Sequence, residues 1–151
     1  MFNAEGAEDA EQGLINRLTD TTIGGAVRVH SELGPGLLES AYIACLAYEL
    51  RKCGFDVQKQ VTLPVKYDSV ELDVGYRIDL LVNDAVIVEV KALANVLPVH
   101  EAQLLSYLRL SQRTVGLLIN FHVERLKDGI RPVVNNYIGP ALPPRPPRPP
   151  R

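Results

Sequence analysis

The chain has 151 residues, 46% of them apolar and 23% charged, with a net charge of −2. That is enough for one domain with its own core, in the ordinary balance of a soluble globular protein. A near-neutral body argues against bulk-charge binding of nucleic acid, and no apolar run reaches the ~20 residues of a membrane helix.

The opening "MFNAEGAEDAEQ" is acidic and has no basic-then-apolar signal, so a cytoplasmic location is expected. Residues 1–12 lack apolar periodicity and are expected to be disordered. A domain is expected over 13–138. Within it, Leu14, Leu18, Gly25, Val29 and Leu33 recur at helical spacing, with Thr21 or Thr22 filling the gap. Gly34-Pro35-Gly36 ends this helix, and a second is expected from Leu37 to about Lys52, stopped by Gly54 as a C′ glycine. Cys45 and Cys53 fall in that second stretch without ligand spacing, and are read as reduced thiols.

The period then changes to two. "FDVQKQVTLPVKY" reads as one strand with Pro64 marking an edge or bulge, Val70–Val82 as a second and Ala85–Ala92 as a third. Pro98 suits a helix start, and Val99–Leu110 a helix burying Ala102, Leu104, Leu105 and Leu108. The continuous apolar run Thr114–Phe121 fits a fully buried strand, and "KDGIRPVVN" a turn and a short last strand. The expected class is α/β: a small mixed sheet with flanking helices and an extra N-terminal helix. Residues 139–151, ending "PPRPPRPPR", read as a proline/arginine-rich polyproline II or disordered tail.

The second and third strands carry charge where a core hairpin should not. Glu89 and Lys91 share one face of a strand, and Asp79 shares a face with Arg77 and Leu81. A two-residue turn at Asn83-Asp84 sets Asp79 opposite Val88, on the wrong face. A three-residue loop at Asn83–Ala85, or an equivalent bulge, pairs Val82 with Val86 and sets Asp79 opposite Glu89. We expect the second register. Opposed carboxylates raise a pKa unless a cation intervenes. Lys91 offsets part of this, and a divalent ion would offset more; surface ion pairs among Asp79, Glu89 and Lys91 are the structural alternative.

Asp79, Glu89 and Lys91 are similar to the D…(D/E)xK signature of the PD-(D/E)XK nuclease superfamily, whose core is also α-β-β-β-α-β. More specifically, "VHSELGPGLLESAYIACLAYEL", "GYRIDLLV", "VEVKA" and "LLINF" resemble the small bacterial GxxExxY proteins, with Gly36, Glu39 and Tyr42 as the naming motif. The resemblance covers about Leu18 to Asn135. It implies a restriction-endonuclease-like fold and a metal-dependent nuclease acting on DNA, using Mg²⁺ with Mn²⁺ as a substitute. It implies Asp79, Glu89 and the Val90 carbonyl as metal ligands, Glu39 as a further ligand or water-holder, and Lys91 as the group that activates water and steadies the phosphate. "Q(103)LLSY(107)" resembles the QxxxY motif of RecB-type exonucleases, which implies that Gln103 and Tyr107 contact substrate. His100 falls on the same helix face, and Arg77 is placed to bind phosphate or neutralise the acids.

A local basic patch from Arg77, Lys91, Arg109 and Arg113, a homodimer or a protein partner would help a near-neutral body hold nucleic acid. A non-catalytic binding or interaction module on the same fold is the second reading, motivated by the weak charge and the proline/arginine tail. His30 is read as a packing or capping residue.

Overall fold

The apolar stripes and runs assemble into a five-stranded mixed sheet with helices on both faces in the computed structural model, which describes residues 4–136. Helix α1 spans Ala4–Leu33 and α2 spans Glu39–Lys52. The early start of α1 corrects the expected disordered lead over residues 4–12. Alanine and glutamate dominate that stretch; both are good helix formers, and acidic residues suit a helix N-terminus. Apolar periodicity does not register such a segment. The proline/arginine tail lies outside the described residues.

Thr22 fills the gap in the apolar stripe of α1. It is fully buried, and its hydroxyl donates to the Leu18 carbonyl at 2.7 Å. Gly25 faces α2, where an added Cβ would stand 3.4 Å from both Leu46 and Leu50. Gly54, with φ +88°, follows the last turn of α2 as the C′ glycine the sequence predicts.

Strands β1 (Val57–Thr62), β4 (Arg77–Val82), β5 (Val86–Lys91), β6 (Val115–Asn120) and β7 (Ile130–Val134) form the sheet in the order β1-β4-β5-β6-β7. Neighbours are antiparallel except β5 and β6, which run parallel because α3 (Pro98–Ser111) crosses between them. Pro98 begins α3 as expected, and the last short strand is present. The predicted first and second strands are each broken in two. Pro64 separates β1 from β2 (Val65–Tyr67), and the bend at Asp73–Gly75 separates β3 (Val70–Leu72) from β4. β2 and β3 pair only with each other, as a two-stranded ribbon outside the main sheet.

Two apolar layers result. Leu18, Val29, Tyr42 and Leu46 pack on Leu80, Val82, Val88 and Val90 on the α1–α2 side. Leu104, Tyr107 and Leu108 of α3 pack on Leu81, Ile87 and Leu118 on the other. Ala102 is exposed and Leu105 half-buried, contrary to expectation; Tyr107 takes the place they were given in the core. Most of β4 and β5 is therefore covered on both faces, and half-buried Asp79 and buried Glu89 lie on the α3 side of the sheet. Among the described residues no helix is long and apolar enough to cross a membrane.

Candidate active site

The register of the β4–β5 hairpin decides whether the charges meet. Val82 pairs with Val86, Leu81 with Ile87 and Leu80 with Val88. The next step of that ladder sets Asp79 opposite Glu89, as the three-residue loop predicts. Asn83 and Asp84 both take left-handed conformations (φ +49° and +54°), and the Ala85 N–H donates to the Val82 carbonyl at 3.0 Å. This is a primed turn, with Ala85 as the extra residue that moves the pairing on to Val86. Both turn residues are fixed from outside. Asn83 exchanges two 2.8 Å bonds with the Asp56 backbone, accepting from its N–H through Oδ1 and donating its own N–H to the carbonyl. The Arg113 guanidinium holds Asp84 at Oδ1 (2.6 Å) and at the carbonyl (3.1 Å).

The Val90 N–H donates to Asp79 Oδ2 at 2.9 Å, which aims the Asp79 carboxylate at β5. Glu89 is 6% exposed, and its Oε1 is buried without a hydrogen-bond partner. Burial, then the neighbouring Asp79 carboxyl, pushes the Glu89 pKa up to about 9, against the opposing pull of Lys91. A metal-free Glu89 is thus protonated at neutral pH. Lys91 is half-buried and makes no ion pair among the described residues, so its ammonium is available at the mouth of the pair.

Glu39 reaches the same end of the sheet from the first turn of α2, accepting from the Ala92 N–H at 3.3 Å. The local sequence explains how. Gly36 bends the chain at φ +104°. Tyr42 then locks the bend, its hydroxyl donating to the Gly34 carbonyl (2.6 Å) and accepting from the Leu37 N–H (3.1 Å). The Tyr42 ring stacks on Phe121 with centroids 4.4 Å apart. In Gly36-x-x-Glu39-x-x-Tyr42 the glycine turns, the tyrosine clamps and the glutamate extends toward β5.

On α3, Gln103 Nε2 donates to the Tyr107 hydroxyl at 3.1 Å. The Tyr107 pKa is raised, first by burial and then by the nearby Glu89 charge, with Asp79 a smaller contributor. The two motif residues therefore stand together beside the carboxylate pair. His100 does not join them: its Nδ1 accepts the Leu97 N–H at 2.9 Å and caps α3. Arg77 donates to Asp73 (3.2 Å) and to the Tyr76 carbonyl (2.9 Å), and Arg113 is spent on the turn. Of the expected basic patch, Lys91 and Arg109 are left without an acidic partner among the described residues. His30 is structural, bonding the Val123 carbonyl at 2.7 Å and leaning on Phe121.

Sequence reasoning missed two supports. Asn120 is buried at the end of β6 and bonds both the N–H and carbonyl of Leu93 (3.0 and 2.9 Å), fixing the chain just after Lys91. Its signal was a lone polar residue ending the apolar run "LLIN". Tyr76 is the other: its ring is tilted against that of Tyr107 with centroids 5.6 Å apart.

The donor set bears on a metal. Two carboxylates face each other, one with an orphaned buried oxygen, which suits a hard cation that takes oxygen ligands and keeps waters. Among the described residues no three His, Cys, Asp or Glu gather closely enough to share an ion, so Glu39 stands apart from the Asp79–Glu89 pair. The fit is to a two-carboxylate centre, with Glu39 holding the end of β5.

A family model described as the PD-(D/E)XK nuclease superfamily matches residues 16–133. No curated protein and no solved structure matches the chain significantly.

Proposed function

The chain belongs to the PD-(D/E)XK nuclease superfamily, and from that premise we propose that it hydrolyses phosphodiester bonds in DNA with a divalent ion, Mg²⁺ or Mn²⁺, held by Asp79 and Glu89. The observation that carries this reading is the buried, partnerless Oε1 of Glu89 beside a second carboxylate. A lone buried acceptor is costly, and a fold that keeps one gains by filling it with a cation.

Asp79 and Glu89, with the Val90 carbonyl, would hold the ion; when bound it supplies Lewis acidity to a phosphoryl oxygen and to a water. Glu89 must release its proton to serve as a ligand, so metal uptake and proton release are coupled at this residue. Lys91 lies on the same strand face as Glu89, where its ammonium stabilises negative charge growing on the phosphate and orients the attacking water. Glu39 keeps the end of β5 in place through Ala92. Gln103 and Tyr107 border the pair and position substrate.

The test compares wild type with Asp79→Ala and Lys91→Ala. Cleavage of single- and double-stranded DNA and of RNA is followed with Mg²⁺ or Mn²⁺, and metal binding by calorimetry. Asp79→Ala is expected to lose both metal binding and cleavage. Lys91→Ala is expected to keep metal binding and lose cleavage by at least about a hundredfold. Cleavage that survives either change sinks the proposal, as does its absence on every nucleic acid; metal-independent nucleic-acid binding without cleavage would favour a non-catalytic module.

A further inference from the structure

We infer that the groove beside the carboxylate pair, between Tyr76 and α3, seats an unpaired nucleobase, so that the site takes a single strand in preference to an intact duplex. The inference deepens the nuclease reading and rests on it for the position of the reacting phosphate.

The groove has a volume of about 540 Å³, in the usual range for sites that take a small organic group. Val65, Val99 and Leu110 give it apolar walls, Tyr76 and Tyr107 give it aromatic ones, and Arg109 stands among the lining residues. Gln103 and Tyr107 line it, and Tyr107 also feels the charges of Glu89 and Asp79, so a base in the groove places its own backbone near the carboxylates. Gln103 spends its amide N–H on Tyr107 and has its amide oxygen left for a base edge.

Tyr76 is built as a platform. Tyr76 is 42% exposed, so part of it is open to a ligand. Its backbone is nevertheless fixed: its carbonyl accepts from the Leu63 N–H (3.0 Å) and from Arg77 (2.9 Å). Arg77 is in turn tied to Asp73, whose Oδ1 also takes the Gly75 N–H at 3.0 Å, with Gly75 at φ +91°. Arg77, expected to bind phosphate or neutralise the acids, instead bonds the Tyr76 backbone. A ring ordered beforehand binds without the entropic cost of ordering it later.

Charge points the same way. Tight duplex binding draws on many phosphate contacts. Of the expected cations Arg77, Lys91, Arg109 and Arg113, two are spent on acidic partners among the described residues. Stacking of a base on an aromatic ring needs no such charge, and one stacked base is worth roughly five- to a hundredfold in affinity.

The experiment measures binding without cleavage, by fluorescence anisotropy of labelled oligo-dT and of a duplex of equal length in EDTA. Wild type, Tyr76→Phe, Tyr76→Ala and Tyr48→Ala are compared, the last altering an exposed tyrosine of α2 away from the groove. Single-strand binding is expected to exceed duplex binding, to fall about tenfold in Tyr76→Ala, and to persist in Tyr76→Phe and Tyr48→Ala. A 2-aminopurine in the strand should be quenched by wild type and not by Tyr76→Ala. Equal binding of strand and duplex, or an unchanged Tyr76→Ala whose thermal melt shows it folded, overturns the inference. If Tyr76-dependent strand binding is found but no metal supports cleavage, the nuclease reading fails and the base seat stands. If cleavage is metal-dependent but indifferent to Tyr76, the reverse holds.

Discussion

Replacing Glu89 with glutamine is expected to stabilise the metal-free protein, and by more as the pH rises. The folded state holds this carboxyl at a pKa of about 9, against an ordinary 4.5. Between those values the folded protein keeps a proton that the unfolded chain has released. Wild-type stability from this group is therefore intact at low pH and falls by about 1.4 kcal/mol per pH unit as the pH climbs toward the folded pKa. Over about pH 5.5 to about pH 8 the loss is on the order of 3 kcal/mol. Glutamine has no proton to lose and fills nearly the same volume. Its stability should match wild type only below about pH 4 and exceed it by a growing margin above that. Urea denaturation followed by far-UV circular dichroism, in EDTA at several pH values, reads the gap directly, because other titrating groups are common to both proteins. Parallel stability curves for the two, or a glutamine variant that is the weaker at about pH 8, would falsify the claim that Glu89 is a buried, desolvated acid. Adding Mg²⁺ should narrow the gap by stabilising wild type alone.

Two further outcomes follow from the supports around the site. Tyr42→Phe keeps the stack on Phe121 and removes both hydroxyl bonds to the Gly34–Leu37 turn; it should cost about 1–2 kcal/mol in urea denaturation, and no measurable loss would mean that the hydroxyl does not hold the bend. At Asn83, alanine should cost more than glycine, by about 1 kcal/mol, because both lose the bond to the Asp56 N–H but only alanine resists the left-handed conformation; equal thermal melts for the two would contradict the primed turn.

The hairpin register was legible because two independent features agreed. Asn and Asp tolerate left-handed backbone, and only the longer loop brings Asp79 and Glu89 to one face. Helical spacing likewise located α2 and α3, with Pro98 and Gly54 at their ends. Other features were hidden for physical reasons. The first turns of α1 are rich in alanine and glutamate and helical by propensity, and no apolar period marks them. The bend at Asp73–Gly75 sits within a stretch where apolar and polar residues alternate, and alternation alone reads through it. His100 shares a helix face with Gln103, yet its position in the first turn of α3 turned it to capping, a use that face arithmetic does not distinguish. Tyr76 precedes its strand in sequence, and its contact with Tyr107, 31 residues later, is one no local pattern contains. The contribution of Asn120 depends on Leu93, 27 residues earlier, a pairing that no local pattern contains.

Glu89 also bears on how such a chain changes over generations. Wherever the carboxylate is not engaged with a cation it weakens the fold, and the strand around it is already apolar on both faces. Mutation alone therefore drifts toward replacing it, since the commonest neutral outcome is a better-packed β5. A lineage released from the chemistry would keep the sheet and shed the acid. A lineage that keeps both carboxylates keeps them against a steady pull from the stability of the protein that carries them.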